Sequence, residues 1–206
     1  MAKRPPRPDI RLLILALVAV AAAAFALAEI GLKSAPTPDT GIASAEGEAA
    51  IGGPFSLIDQ DGKTRTDADF RGSLMLIYFG YTDCPDVCPL ALSTMSAAVD
   101  SLGDKGKSVV PIFITVDPER DTVEKLKQYA ARFNPRFVAL TGESAAIEAA
   151  AKAYHVYFAK HPEEGGSYSM DHSSVIYLMG RDGQYLAHFG AEASAQDMAQ
   201  GIAKFL

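Results

Sequence analysis

Cys84 and Cys88 are the only two cysteines in this chain of 206 residues, four positions apart in Tyr81-Thr82-Asp83-Cys84-Pro85-Asp86-Val87-Cys88-Pro89. Two cysteines cannot make a disulfide-rich scaffold or a four-cysteine zinc site. A pair this close is one local event, and its spacing is C-x3-C, not the C-x-x-C of a dithiol redox motif. If one helical turn holds both, positions i and i+4 bring the sulfurs onto one face. Two thiolates on one face form a soft pincer suited to Cu(I). The same pair would serve thiol–disulfide exchange, staple the turn as a disulfide, or pack as inert buried thiols. Two prolines and an aspartate in the turn are poor core material, which counts against inert packing.

A third donor is sought among four histidines. His155 and His188 lie in strand-like apolar stretches, where a hydrogen-bonded structural role is the usual one. His161 sits beside Pro162-Glu163-Glu164-Gly165-Gly166, which reads as a solvated loop tip. His172, in Met170-Asp171-His172-Ser173-Ser174, immediately precedes the apolar run SVIYL. Spacing alone leaves open whether His172 is a ligand or a structural residue. Met170 shares a face with it on an extended backbone, as a soft auxiliary donor or, more commonly, a core methionine.

The elements that must carry these residues alternate. PFSLIDQDGKTRT reads as a hairpin turning at Asp61-Gly62. SLMLIYFGY (73–81) and SVVPIFITVD (108–117) are apolar, β-branched and aromatic, the pattern of buried central strands. Between them Leu92, Met95, Val99 and Leu102 recur at helical spacing. Thr122 can cap a helix with a Val123, Leu126, Ala130 and Phe133 stripe. RFVAL predicts a short strand, and Ser144–Ala153 an alanine-rich helix. Two strands joined at Arg181-Asp182-Gly183 and a closing helix over 194–206 complete the chain. Strand–helix–strand, then a hairpin and a last helix, predicts an α/β thioredoxin-like fold. The N-terminal β-hairpin and an inserted hairpin or loop at 155–172 are additions to it. The cysteine turn then lies at the carboxyl end of a central strand, where open α/β sheets bind ligands and a helix start lowers thiol pKa. His172 falls about where such folds place a cis-proline, and there is no proline there. A thiol–disulfide exchanger would lack a usual part.

The N-terminus is of different composition. Net charge is −6, yet Lys3, Arg4, Arg7, Arg11 and Lys33 against Asp9 and Glu29 give residues 1–33 a charge of +3, leaving −9 on the remainder. An acidic remainder excludes a basic nucleic-acid surface. After the cytoplasmic residues 1–11, LLILALVAVAAAAFALA carries no polar side chain. Residues 12–32 are expected to form one transmembrane helix, with the basic flank held inside. Ala26-Leu27-Ala28 leaves signal cleavage as the alternative. Residues 33–51, small and marked by Pro36 and Pro38, read as a flexible linker, and 52–206 as the folded domain. The expected location is a bacterial inner membrane, single pass, with the domain in the periplasm.

CPDVCP (84–89), TVDPERDT (115–122) and DHSSVIYL (171–178), in this order, resemble the Sco/SenC family of membrane-tethered copper proteins with a thioredoxin-like fold. The resemblance implies copper, as Cu(I) and Cu(II), on Cys84, Cys88 and His172. Cys84 and Cys88 would be catalytic only if the site is redox-active. It also implies delivery to the binuclear copper site of cytochrome c oxidase subunit II, with a copper donor protein and a thiol reductant as further partners. Asp117, Pro118, Asp121 and Thr122 fall on its Asp-Pro-x-x-Asp-Thr segment, where Asp117 would tune the site, mark a docking surface, or serve a turn or helix cap. Thiol–disulfide oxidoreductase and copper or redox sensor are the alternative functions. Oxidation of the two thiols would remove both sulfur donors together.

Overall fold

A computed structural model describes residues 42–44, 51–190 and 192–206. Its centre is β4 (Leu74–Gly80), every residue of which is buried. A strand with both pleat faces buried needs cover on both sides, and the helices give it. β5 (Val109–Thr115) lies parallel to β4 across a seven-residue register, and β6 (Val138–Thr141) parallel to β5. β9 (Val175–Met179) joins the other side of β4 antiparallel, and β10 (Tyr185–Gly190) follows it. β2 (Ser56–Asp59) and β3 (Thr64–Thr66) form the N-terminal hairpin, docked through β2 on β6. The alternating exposed–buried pattern of β2 fits a strand with one face on the core and the other toward solvent. With β1 (Ile42–Ser44) on β10, the sheet order is β1-β10-β9-β4-β5-β6-β2-β3. The mixed α/β, thioredoxin-like expectation holds for the described residues. Strand β1 falls inside the stretch read as linker, where alanine, serine and glycine gave no strand signal.

Helix α1 (Val87–Ser101) packs on β4 and β5 and against α4 (Ala195–Ala203). Its buried face is Cys88, Ala91, Leu92, Met95, Ala98 and Val99, so the apolar spacing places one cysteine in the core stripe. α2 (Val123–Ala130) starts at Thr122, whose hydroxyl accepts from the Lys125 N–H at 3.3 Å. α3 (Ser144–Ala153) has the predicted bounds. β7 (Phe158–Pro162) and β8 (Tyr168–His172) form a two-stranded hairpin separate from the main sheet, the insertion predicted at 155–172. Among the described residues no helix is long and apolar enough to cross a membrane. The expected span at 12–32 lies outside the described residues.

Candidate metal centre

β4 ends at Gly80, where the chain turns through Tyr81–Asp86 and re-enters regular structure at α1. Cys84 therefore precedes the helix and Cys88 sits in its first turn. The expectation that one helical turn holds both is corrected to a turn followed by a helix start. The two prolines explain this: Pro85 disfavours helical geometry at Cys84, while Pro89 is tolerated early in a helix where N–H groups lack partners. The effect on the sulfurs survives, because the Cys88 N–H donates to Cys84 Sγ at 3.5 Å. Both are free thiols, Cys84 half-buried and Cys88 buried.

Room for Cys88 comes from a missing side chain. A Cβ on Gly80 would lie 2.8 Å from Cys88 Sγ and 3.1 Å from the rings of Tyr78 and Phe113. Only glycine lets the sulfur settle on the strand end. The third donor arrives from the hairpin: His172, last residue of β8, brings Nε2 to 3.3 Å from Cys88 Sγ. Its Nδ1 faces the Ser173 carbonyl at 3.1 Å. A carbonyl only accepts, so Nδ1 carries the proton and Nε2 turns its lone pair toward the sulfurs. Tyr78 and Tyr81 meet the imidazole edge-on at 5.8 and 5.9 Å between ring centres, fixing its plane. One donor atom from each of Cys84, Cys88 and His172 lies within 4.8 Å of the others.

The electrostatics separate the three groups. Burial pushes the Cys84 thiol up, but the N–H groups of Asp86, Cys88 and Val87 and the Cys88 thiol outweigh it, and its pKa falls below the ordinary value. Burial pushes Cys88 strongly up, and the neighbouring Cys84 charge adds to the rise. His172 is lowered by burial, so it is a neutral donor at physiological pH. Two soft sulfurs and one imidazole suit copper in both oxidation states, and among the described residues the cluster has no fourth donor that would close a structural zinc site.

The other histidines part company with this centre. His188 lies on β10, hydrogen-bonded to the Tyr185 hydroxyl, the structural role expected of it. His155 is not in a strand: it is exposed in the turn after α3, at φ 56°. His161 is exposed as expected, but it belongs to β7 and pairs with Asp171 at 2.9 Å. Met170 is buried in β8, the core placement.

Asp117 and Asp121 are both buried at the end of β5. Asp121 accepts from the Thr82 N–H (3.0 Å), the Thr82 hydroxyl (2.5 Å) and the Thr115 hydroxyl (2.6 Å). Asp117 pairs with Arg120 and accepts from the Tyr168 hydroxyl at 2.8 Å. Arg120, Tyr168, Thr82 and Gly80 are neighbours of the site that the sequence reading missed. Arg120 lies inside the quoted TVDPERDT segment, Thr82 inside the quoted cysteine turn and Gly80 near the end of the quoted strand 73–81, while Tyr168 lies outside every quoted motif.

The SCO1/SenC family model matches residues 43–206. Protein SCO1 homolog 1, mitochondrial, of Arabidopsis thaliana is 43% identical over 159 residues, covering 77% of this chain and 48% of the relative. This chain thus spans about half the length of that relative. The structure of Bradyrhizobium japonicum ScoI with copper bound is similar at a TM-score of 0.71 and 43% identity, covering 76% of this chain and 99% of that one. The structure of BsSco is similar at a TM-score of 0.61 and 28% identity, over 75% and 92% of the two chains. BsSco is described as having a disulfide switch and as a member of the Sco family of cytochrome c oxidase assembly proteins.

Proposed function

The chain belongs to the SCO1/SenC family, and from that premise we propose that it is a copper carrier held at a membrane by residues 12–32. Its domain would load copper on Cys84, Cys88 and His172 and hand it to the binuclear copper site of cytochrome c oxidase subunit II. The observation that carries this reading is the convergence of three donors, one from each residue, within 4.8 Å. Cys84, its pKa lowered by the surrounding N–H groups, is the readier of the two thiols to give a thiolate. Cys88 gives up its proton as the metal arrives, so loading releases that proton. His172 offers Nε2 without a proton to lose. Three donors leave an open position through which a partner's sulfur or nitrogen can enter before the carrier lets go.

The partner side of this reading rests on the family and on the acidic charge of residues 34–206, which suits a basic docking patch. The basic N-terminal flank supports an orientation with the N-terminus inside and the domain outside, which for a bacterial inner membrane would be the periplasmic face. A thiol reductant suits this reading, since disulfide formation in an oxidising compartment consumes both sulfurs, and a copper donor protein would then load the reduced site. Anaerobic titration of the reduced chain with copper, read by X-ray absorption, is expected to show one ion with two sulfurs and one nitrogen. Transfer to an apo subunit II domain then tests delivery; copper that stays on the carrier would refute it.

A second reading is favoured by the asymmetry between the thiols. A half-buried, lowered Cys84 beside a buried, raised Cys88 is the arrangement of a thiol–disulfide exchanger. Cys84 would attack a partner disulfide and Cys88 would resolve it, two electrons passing to the partner. Disulfide reduction by the metal-free protein is its test.

A further inference from the structure

Residues 117–121 connect β5 to α2, and both halves of the metal centre are tied to them. Toward the cysteine turn, Asp121 holds Thr82 through its N–H and its hydroxyl, two residues before Cys84. Toward the hairpin, three neighbours reach across. Arg120 Nη1 donates to the Tyr168 carbonyl at 2.8 Å, with its guanidinium 3.7 Å from the centre of the Tyr168 ring. Asp117 receives the Tyr168 hydroxyl at 2.8 Å and pairs with the Arg120 Nε–H. Glu119 pairs with Lys160 at 2.7 Å, and that ammonium lies 3.8 Å from the same ring. Arg120 also spans the two halves, with Nε 3.7 Å from Asp83 and its guanidinium 5.7 Å from the Tyr81 ring, which braces His172.

The hairpin forms its own two-stranded sheet, and an isolated hairpin is marginal in water. Its last residue is nevertheless the nitrogen donor. Something outside the hairpin has to fix where His172 stands relative to the sulfurs, and the contacts at Tyr168 lie four residues upstream on the same strand.

We propose that the 117–121 loop is a clasp that registers the histidine half of the centre against the cysteine half, with Arg120 as the positioning residue that acts on His172 through the hairpin. The clasp rests on the copper reading of the site for its metal consequence, while its mechanical part stands without metal. Because Arg120 acts on the hairpin, its loss falls on the nitrogen donor, and so on Cu(II), which leans on imidazole, more than on Cu(I), which the two thiolates retain. Asp121 acts on the cysteine turn, so its loss falls on both ions alike.

The test uses the full chain, reduced, with Arg120→Ala, Arg120→Lys, Tyr168→Phe and Asp121→Asn beside the parent. In the metal-free protein, Arg120→Ala is expected to raise amide hydrogen exchange over 168–172 about tenfold and leave β9 unchanged. With copper, the same change is expected to weaken Cu(II) about tenfold, the scale of a lost support to a metal ligand. Cu(I) is expected to shift by less than about threefold, and the Cu(II)–thiolate absorption to move. Arg120→Lys keeps the charge for Asp117 but loses the planar stack, so it lies between parent and alanine and serves if the alanine variant fails to fold. Tyr168→Phe keeps the ring and gives a smaller effect. Asp121→Asn weakens both ions. Equal weakening of Cu(I) and Cu(II) by Arg120→Lys, or unchanged exchange over 168–172, would overturn the clasp. A parent chain binding copper without a nitrogen ligand would overturn the copper reading, and the exchange arm would still decide the clasp.

Discussion

Cys88 stands on a helix whose inner face packs against a strand with no exposed residue, whereas His172 ends a hairpin that pairs with nothing in the main sheet. The sulfur side is held by apolar packing, which is dense and resists deformation. On the nitrogen side only Met170 of the hairpin strands is buried in the core, and much of the hold comes from polar and cation–ring contacts around Tyr168, each worth little and each reversible. A carrier has to hold copper and also release it. The comparison assigns retention to the core side and adjustability to the hairpin side.

The largest effect that would break the comparison is at the sulfurs. Cys84→Ser or Cys88→Ser is expected to weaken Cu(I) by about a thousandfold or more, since a hydroxyl is a poor ligand for a soft ion. Competition with a chromophoric Cu(I) chelator measures it, and a loss of only a fewfold would mean that the sulfurs do not dominate retention.

The two thiols also differ from one another. Alkylation of the metal-free, reduced chain at neutral pH is expected to label Cys84 about a hundredfold faster than Cys88, because only Cys84 is both accessible and lowered in pKa. Peptide mapping over time reads the ratio, and equal rates would show that Cys88 is not locked in the core.

Gly80→Ala probes the packing beneath Cys88. The added Cβ at 2.8 Å from the sulfur is expected to cost about 2 kcal/mol, the range for overpacking a core. Urea unfolding of the reduced protein tests it, and copper affinity is expected to fall as Cys88 shifts.

On the nitrogen side the effects are smaller. His172→Ala is expected to weaken Cu(II) by more than the roughly tenfold of a lost support, and Cu(I) less, with alanine at His155, His161 or His188 neutral. If His188→Ala removed the metal and His172→Ala did not, the donor set would be wrong.

The smallest effect sharpens the same contrast through pH. Burial lowers the folded pKa of His172 below its ordinary 6.5. Below pH 6.5 the unfolded chain therefore binds the proton first. Its contribution is fully present above that value and is lost as pH falls through the folded pKa. Thermal unfolding of the metal-free protein between neutral and mildly acidic pH is expected to show this loss, and His172→Ala to diminish it. A parent and variant with parallel profiles would show that His172 is not buried against the site.

Much of this was legible beforehand. The hairpin at Asp61-Gly62, the buried strands, the bounds of α3 and the two-cysteine turn followed from patterns a few residues long. Periodicity and turn chemistry are local, and they survive folding because tertiary contacts here reinforce them. Errors arose where local pattern and tertiary setting diverge. His155 looks strand-like in an apolar stretch but closes α3 in a left-handed turn. Cys84 looks helical by spacing but stays outside α1.

What the sequence determined by itself is the chemistry on offer: two soft sulfurs four residues apart, a small set of imidazoles to choose among, and the order of elements that carries them. What only the tertiary structure decided is which groups meet and what holds them. His172 reaches Cys88 across 84 residues of chain, Arg120 reaches Tyr168 across 48, and Asp121 reaches Thr82 across 39. No local window contains both members of such a pair. Their meeting is fixed by the parallel register of β4 and β5 and by the return of β8 over the strand ends, which come from burying one shared core.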